Sequence, residues 1–374
     1  MKMKRTLVAM LALVMVLSVA LTACGNGDEP AAANGGDGTF NVVSLVNGNL
    51  GDRSFFDSAE SGLVDLAARG IITYRTIELG GADADQPRWR DTLIEVSESG
   101  DFDVVIVGTW QMTDFLAEIA PQYPDQMYII YDSFVDSPNV LSLNYKQNDM
   151  GFVIGVFAAL MTAEFDFPNI NPDHQNIGFI GGEDGPVIND FLVGFIQGAQ
   201  WANPDARVDT RYVASFIDPA GARELANAMI LQNGVDIIWG VAGLSGNGAA
   251  EAAYENNVWF IGVDSDQERT FVGAQAALAG VTLTSGLKNV GESLIWAFEE
   301  LAAGRTHWGE EIWLGLDLDG VGIVTDGNFT TVPQAVQDRT LQALEYVTNG
   351  TINVGSAFGA DAVDVAALRE SVRP

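Results

Sequence analysis

Side chains that carry much of enzyme chemistry are scarce in this chain. Its 374 residues include one cysteine and two histidines, and beyond residue 38 only two lysines remain, Lys146 and Lys288. A single thiol excludes an internal disulfide, and one cysteine with two separated histidines cannot build a zinc-ligand cluster. His174 and His307 stand in polar, loop-like stretches and not where a triad base is expected. The stretch from Gly243 to Gly248 has a glycine two residues before Ser245 but Asn247 two residues after it, so it is not a nucleophile elbow. It also fails as a dinucleotide fingerprint, because Glu251 occupies the third glycine position. No catalytic residue, metal or cofactor is therefore expected. Basic charge is equally short, with 18 Lys and Arg against 50 Asp and Glu and a net charge of −32. Nucleic acid and anionic lipid headgroups are both repelled by such a surface, whose plain role is solubility.

What the chain does have begins at its N-terminus. Lys2, Lys4 and Arg5 precede a nearly unbroken apolar run of 17 residues, Leu7 to Ala23, and Cys24 follows directly behind Leu21, Thr22 and Ala23. A positive start, an apolar centre and a small residue before the cut describe a secretory signal peptide. Its Leu-Thr-Ala-Cys ending resembles a bacterial lipobox, in which the cysteine is acylated and becomes residue one of a lipoprotein. The run is at the short edge of what spans a bilayer, and a Gly/Ala/Asn/Asp stretch follows it instead of a basic stop signal. The expectation is a signal peptide over 1–23, a lipidated Cys24 and a flexible tether over 24–38. Such a chain is anchored to the cell membrane by lipid alone and faces the extracytoplasmic side. Cleavage removes three basic residues and no acidic one, leaving a net charge of −35.

At 48% hydrophobic and 18% charged residues, the remainder can build packed cores. About 335 residues exceed what one core usually covers, so two lobes are expected. Short apolar runs recur at 42–46, 104–108, 127–131, 177–180, 237–241 and 259–263, the pattern of strands buried on both faces. Between them, 58–69, 88–99, 191–201, 219–232 and 248–256 repeat their apolar residues at helical spacing. The alternation implies an α/β fold with parallel sheets and right-handed crossovers. The almost wholly apolar stretch 152–161 and the Pro/Asn/Asp loop 167–175 interrupt it once. That break divides a first lobe, 39–146, from a second, 147–264. Farther on, 308–318 and 321–324 suggest strands and 332–349 a helix.

Ligands of open parallel sheets collect at the carboxyl ends of the strands. Those ends carry Asn47 to Asn49, Thr109 and Trp110, Asp132 and Ser133, Gly181 to Glu183, Phe216, Ala242 and Gly243, and Asp264 to Asp266. Polar, glycine-rich and with two aromatic rings, they suit a small polar ligand with a flat face.

Several of these ends carry phrases that match one another's order in a known family. Gly51-Asp52-Arg53-Ser54-Phe55 resembles the Asp-Lys-Ser-Phe signature of the basic membrane lipoprotein family, nucleoside-binding receptors of ABC importers with the type I periplasmic-binding-protein fold. Further matches follow: Asp132 with Pro138 to Val140, Gly181 and Gly182 with Pro186, Phe191 and Gly194-Phe195, and Ser215-Phe216 with Asp218-Pro219. Next come Ala242-Gly243 with Gly246 to Gly248, the run Ile261 to Gln267, and Thr284-Ser285 with Lys288 to Val290. The resemblance covers residues 40 to about 300.

It implies two Rossmann-like lobes joined by a hinge that the chain crosses three times, so that about 265–303 returns to lobe one and about 304–374 completes lobe two. It implies that Phe55 stacks on a purine, that Asp132 meets the base, and that Asp264 and Lys288 hold the ribose hydroxyls. Phe216 would close from the opposite lobe, and Asp52, Ser54 and Gly243 complete the expected site. The implied function is non-enzymatic: a monomeric lipoprotein captures a nucleoside and hands it to an ABC permease. Two departures stand out, because Arg53 replaces the signature lysine and Phe56 stands where the family commonly has asparagine. Purine specificity is the property they touch, and a sugar or another small polar metabolite is the alternative ligand. From other classes, the alternatives are a secreted hydrolase with a carboxylate pair in its cleft, and a receptor that signals to a partner instead of feeding a transporter. Each site residue also has a purely structural reading: Phe55 as a helix staple, Asp132 and Asp264 as helix caps, Lys288 as a surface residue. Phe191 and Phe195 read as core.

Overall fold

The computed structural model describes residues 38–171 and 173–374. The signal peptide, Cys24 and the tether up to residue 37 lie outside the described residues. From the N-terminal side run β1 (Phe40–Val46), α1 (Phe55–Ala68), β2 (Ile72–Glu78), α2 (Gln86–Ser99), β3 (Val104–Gly108), α3 (Thr113–Ile119), β4 (Met127–Tyr131) and β5 (Val140–Tyr145). The middle of the chain forms α4 (Gln147–Met161), β6 (Asn176–Gly181), α5 (Pro186–Ala202), β7 (Arg207–Tyr212), α6 (Pro219–Asn233), β8 (Ile237–Val241), α7 (Gly246–Asn256), β9 (Trp259–Asp264), α8 (Gln267–Thr270) and β10 (Thr282–Lys288). The last part gives α9 (Val290–Ala302), β11 (Glu311–Leu314), β12 (Val321–Ile323), α10 (Gln334–Thr348) and α11 (Val365–Ser371).

Two six-stranded sheets result, ordered β11-β5-β4-β3-β1-β2 and β12-β10-β9-β8-β6-β7. Every pairing is parallel except that of β10 with β12. The central strands β3, β4 and β8 are buried along their whole length. Their continuous Val/Ile runs are therefore what a sheet covered by helices on both faces requires. β2 and β7 sit at sheet edges, where polar residues such as Arg75 and Arg211 face outward.

The chain crosses between the sheets three times, at Lys146, at Asn289 and over the segment 315–320. These crossings lie side by side. The Lys146 amide donates to Leu314 O at 3.0 Å and the Asn289 amide to Gly320 O at 3.0 Å. Three crossings agree with the expected number, but their places differ. The expected return to lobe one at about 265 is corrected, because β10 extends the second sheet beside β9. Its Thr282, Leu283, Thr284 and Ser285 are all buried there. Only α9 returns, packed on α1 so closely that a methyl group on Gly62 would lie 2.5 Å from the Gly291 carbonyl oxygen. β11 then joins the first sheet beside β5, so residues 304–374 do not all complete the second lobe.

The apolar stretch before the second lobe is α4, buried over nearly its whole surface. It meets α5 backbone to backbone, since a methyl group on Gly155 would lie 2.0 Å from Phe195 O and one on Gly198 would lie 1.9 Å from Phe152 O. Small residues are what let two helix axes approach this far. Gly194-Phe195, part of the family phrase, is thus a packing feature of the second lobe. Phe195 is core, as expected.

Candidate functional site

The C-terminal ends of both sheets face one cavity with about 750 Å³ of atom-free space, its open mouth included. Asp52, Phe55, Asp132, Phe216, Gly243, Asp264 and Lys288 all line it. Ser54, the remaining expected site residue, stands behind them and donates its hydroxyl to Asp264 Oδ2 at 2.5 Å.

Backbone conformation aims two of these side chains. Asp132 directly follows β4 and Asp264 ends β9, and both have positive φ, 67° and 63°. Non-glycine residues in that region are uncommon, and their strain persists only where the surroundings enforce it. Neither aspartate caps a helix: the cap of α8 is Asp266, which accepts from the Arg269 amide, and the strand β5 follows Asp132. Asp52 is different. Its carboxylate accepts from the Ser54, Phe56 and Asp57 amides at 3.0, 2.9 and 3.1 Å, so it is tied to the start of α1.

Lys288 is buried, and its ammonium donates to Asp132. Three rings surround the same ammonium, Phe191 at 5.0 Å, Tyr145 at 5.1 Å and Phe55 at 5.5 Å. Each is close enough for a cation–π contribution. The partner that the resemblance suggested for Lys288 was Asp264; the ion pair instead joins Lys288 to Asp132. Burial raises all three cleft carboxyls. Asp52 is pushed up to about 6 against its three amide donors. Asp264 rises to about 7 although Lys288 and the Ser54 hydroxyl pull the other way. Asp132 rises as well, with Lys288 offsetting part of the effect.

The aromatic walls depend on glycine. Phe216 comes from the second lobe and lies against Gly182, where a methyl group would fall 2.3 Å from its ring. Phe55, from the first lobe, packs edge-on against Phe56 at 5.3 Å between centroids and tilts against Tyr131 at 5.4 Å. Phe56 in turn covers Gly48, where a methyl group would be 2.3 Å from the ring. So the residue that departs from the family phrase makes a wall of the cavity. Phe191, read from the sequence as core, is buried and also borders the cavity.

The lobes touch across the cleft. Besides Lys288 with Asp132 and Ser54 with Asp264, Gln111 Nε2 donates to Glu183 at 3.2 Å. Trp110 sits over Gly185, and Ile217 over Gly81. Sequence reasoning placed Asn47, Trp110 and Glu183 at strand ends but gave them no role, and Gln111 went unnoticed. Their position just beyond β1, β3 and β6 was the available signal. Among the described residues there is no group of three or more His, Cys, Asp or Glu able to hold a metal ion. His174 is exposed, while His307 is half-buried between Glu300 and Glu310 and far from this role.

A family model described as ABC transporter substrate-binding protein, PnrA-like, matches residues 39–358. A relative from Listeria innocua named CD4+ T-cell-stimulating antigen is 30% identical over 338 residues, covering 86% of this chain and 90% of that protein. The ABC transporter nucleoside-binding protein BmpA of Lactococcus lactis is 27% identical, covering 95% of this chain and all of its own. Among solved structures, an ABC transporter solute-binding protein from Aeropyrum pernix superposes with a TM-score of 0.77 at 22% identity, over 89% of this chain and 99% of that one. The likeness shows the fold, two α/β lobes of the type I periplasmic-binding kind.

Proposed function

The chain belongs to the Bmp family of PnrA-like ABC transporter substrate-binding proteins, and from that premise we propose that it captures a nucleoside, a purine nucleoside first, and delivers it to an ABC importer. The observation that carries the reading is the meeting of Phe55 from one lobe and Phe216 from the other in a single cavity, beside a buried Asp132–Lys288–Asp264 cluster. Two rings can hold a flat heterocycle by its faces through stacking. Charged groups give sugar hydroxyls and ring N–H groups their strongest hydrogen bonds. In this reading Phe55 and Phe216 take the base, Asp264 and Lys288 the ribose, and Asp132 links the two through its ion pair. The name of the Lactococcus relative supports the ligand class.

Binding, not chemistry, is the family's work. Raised carboxyls in the cleft invite a hydrolase reading, yet Asp132 is engaged by Lys288 and Asp52 by three amides, which leaves no free acid–base pair. Lobe closure about the three crossings is the proposed mechanism. The same proposal anchors the protein, as a monomer, to the outer face of the membrane through lipid on Cys24. No helix of the described residues is long and apolar enough to cross a membrane. Mass spectrometry of the small molecule that co-purifies, followed by calorimetric titration with a nucleoside panel, tests the reading. A nucleoside with micromolar or tighter affinity supports it; a bound hexose with no affinity for nucleosides replaces it by the sugar-receptor alternative.

A further inference from the structure

One acceptor in the cavity has no partner. Asn47, buried just beyond β1, donates its amide Nδ2 to Thr109 Oγ1 at 2.8 Å and Gln111 Oε1 at 3.3 Å. Both recipients are acceptors here, because the Thr109 hydroxyl itself points its proton at Gln111 Oε1 at 3.4 Å. That fixes the direction of the Asn47 amide, and its Oδ1 is left buried and unpaired beside the cavity. The direction of Gln111 is fixed from outside. Its Nε2 donates to both oxygens of Glu183, at 3.2 and 3.4 Å, and Glu183 belongs to the other lobe. A carboxylate only accepts, so while Glu183 is ionised Gln111 must present Nε2 to it and Oε1 inward.

We propose that this chain of contacts, Glu183 to Gln111 to Asn47, sets a hydrogen-bond acceptor at the cavity's inner edge when the lobes meet, so that the protein selects heterocycles whose edge carries an N–H. The inference rests on the nucleoside reading and deepens it. Asn47 lines the same cavity as Phe56 and Trp110, and the Phe56 ring lies against its neighbour Gly48, so the acceptor stands beside aromatic surface that suits the edge of a flat ring. The charged cluster of Asp132, Asp264 and Lys288 serves the hydroxyls instead. A ring without a donor leaves Asn47 Oδ1 buried and unsatisfied, which is the kind of loss that gives large discrimination between near-isosteric ligands. Glu183 and Gln111 touch no ligand in this scheme; they are positioning residues.

Adenosine and purine riboside share sugar and ring system and differ by the exocyclic amine, so calorimetry with this pair reads the acceptor directly. Wild type is expected to bind adenosine about ten- to a hundredfold more tightly. In Glu183→Gln the new amide can donate to Gln111 Oε1. That frees Gln111 to reverse, Asn47 to follow, and the adenosine preference to fall toward unity. Adding Asn47→Asp, both of whose oxygens accept, should restore the preference. Gln111→Glu keeps an acceptor toward Asn47 but sets two carboxylates against each other across the cleft, so it should weaken both ligands in proportion. A Glu183→Gln protein that keeps the wild-type ratio overturns the inference while leaving the nucleoside reading intact. Equal binding of the two ligands by wild type does the same. A wild type that binds no nucleoside overturns both together.

Discussion

Lys288, at the end of β10 in the second lobe, donates to Asp132, directly after β4 in the first, and this buried ion pair bridges the cleft. Removing one member of a buried pair leaves the other charge unpaired, at a cost of about 3–5 kcal/mol, whereas removing both is far milder. Lys288→Met is therefore expected to lower nucleoside affinity by more than a hundredfold, since it destabilises the form in which the lobes meet. The double variant Lys288→Met with Asp132→Asn should recover part of that loss. A calorimetric double-mutant cycle measures the coupling, and additive losses would mean that the two side chains act on the ligand separately.

The two aromatic walls should be separable from stability. Phe55→Ala and Phe216→Ala are each expected to cost about 1–3 kcal/mol of nucleoside binding, by analogy with base stacking on aromatic side chains. Gly182→Ala gives an independent route to the same wall, because its methyl group would stand 2.3 Å from the Phe216 ring and displace it. It should weaken binding in the direction of Phe216→Ala while the melting temperature stays near wild type. Unchanged affinity in Gly182→Ala would show that the ring's present position is not the one the ligand needs.

Much of this architecture was legible because buried parallel strands announce themselves locally. Val104–Gly108, Met127–Tyr131 and Ile237–Val241 are continuous apolar runs, and the structure gives strands with those bounds. β2 and β7 escaped because edge strands mix polar residues such as Thr73, Arg75, Asp209 and Arg211 into the run. The placement of β10 escaped for another reason: Thr282, Thr284 and Ser285 are buried among hydrogen bonds, so the segment lacks a hydrophobic signature although it belongs beside β9. At the site, strand ends located the cavity-lining residues, but partners depend on how the lobes meet. Nothing local distinguishes Asp132 from Asp264 as the mate of Lys288, and nothing local ties Gln111 to Glu183, 72 residues away.

The anchor is testable without any ligand. If Cys24 is the acylated residue, labelled fatty acid should enter the wild-type protein, and Cys24→Ala should accumulate as uncleaved precursor that carries no label. Equal labelling of the two proteins would move the attachment elsewhere, and label in neither would remove the lipid anchor.

Asp264 gives the protein a definite pH response. Its carboxyl is raised by burial from an ordinary 3.8 to about 7, so the folded form binds a proton more tightly than the unfolded chain does. The stability this contributes is fully present below about pH 4 and is lost as pH rises through about 7. Asp264→Asn mimics the protonated carboxyl at every pH and can still accept from Ser54. Thermal or urea unfolding of the ligand-free proteins should therefore show a small gap near pH 4.5 and a growing advantage for the variant up to pH 8. Each tenfold difference in proton affinity between folded and unfolded chain is worth about 1.4 kcal/mol, before relaxation and solvent penetration reduce it. Asp52 also titrates in this range, pushed up to about 6, but it is present in both proteins and largely cancels in the difference. If wild type instead gains on the variant as pH rises, Lys288 holds Asp264 ionised despite its burial. The cleft would then carry the Asp264 charge at neutral pH.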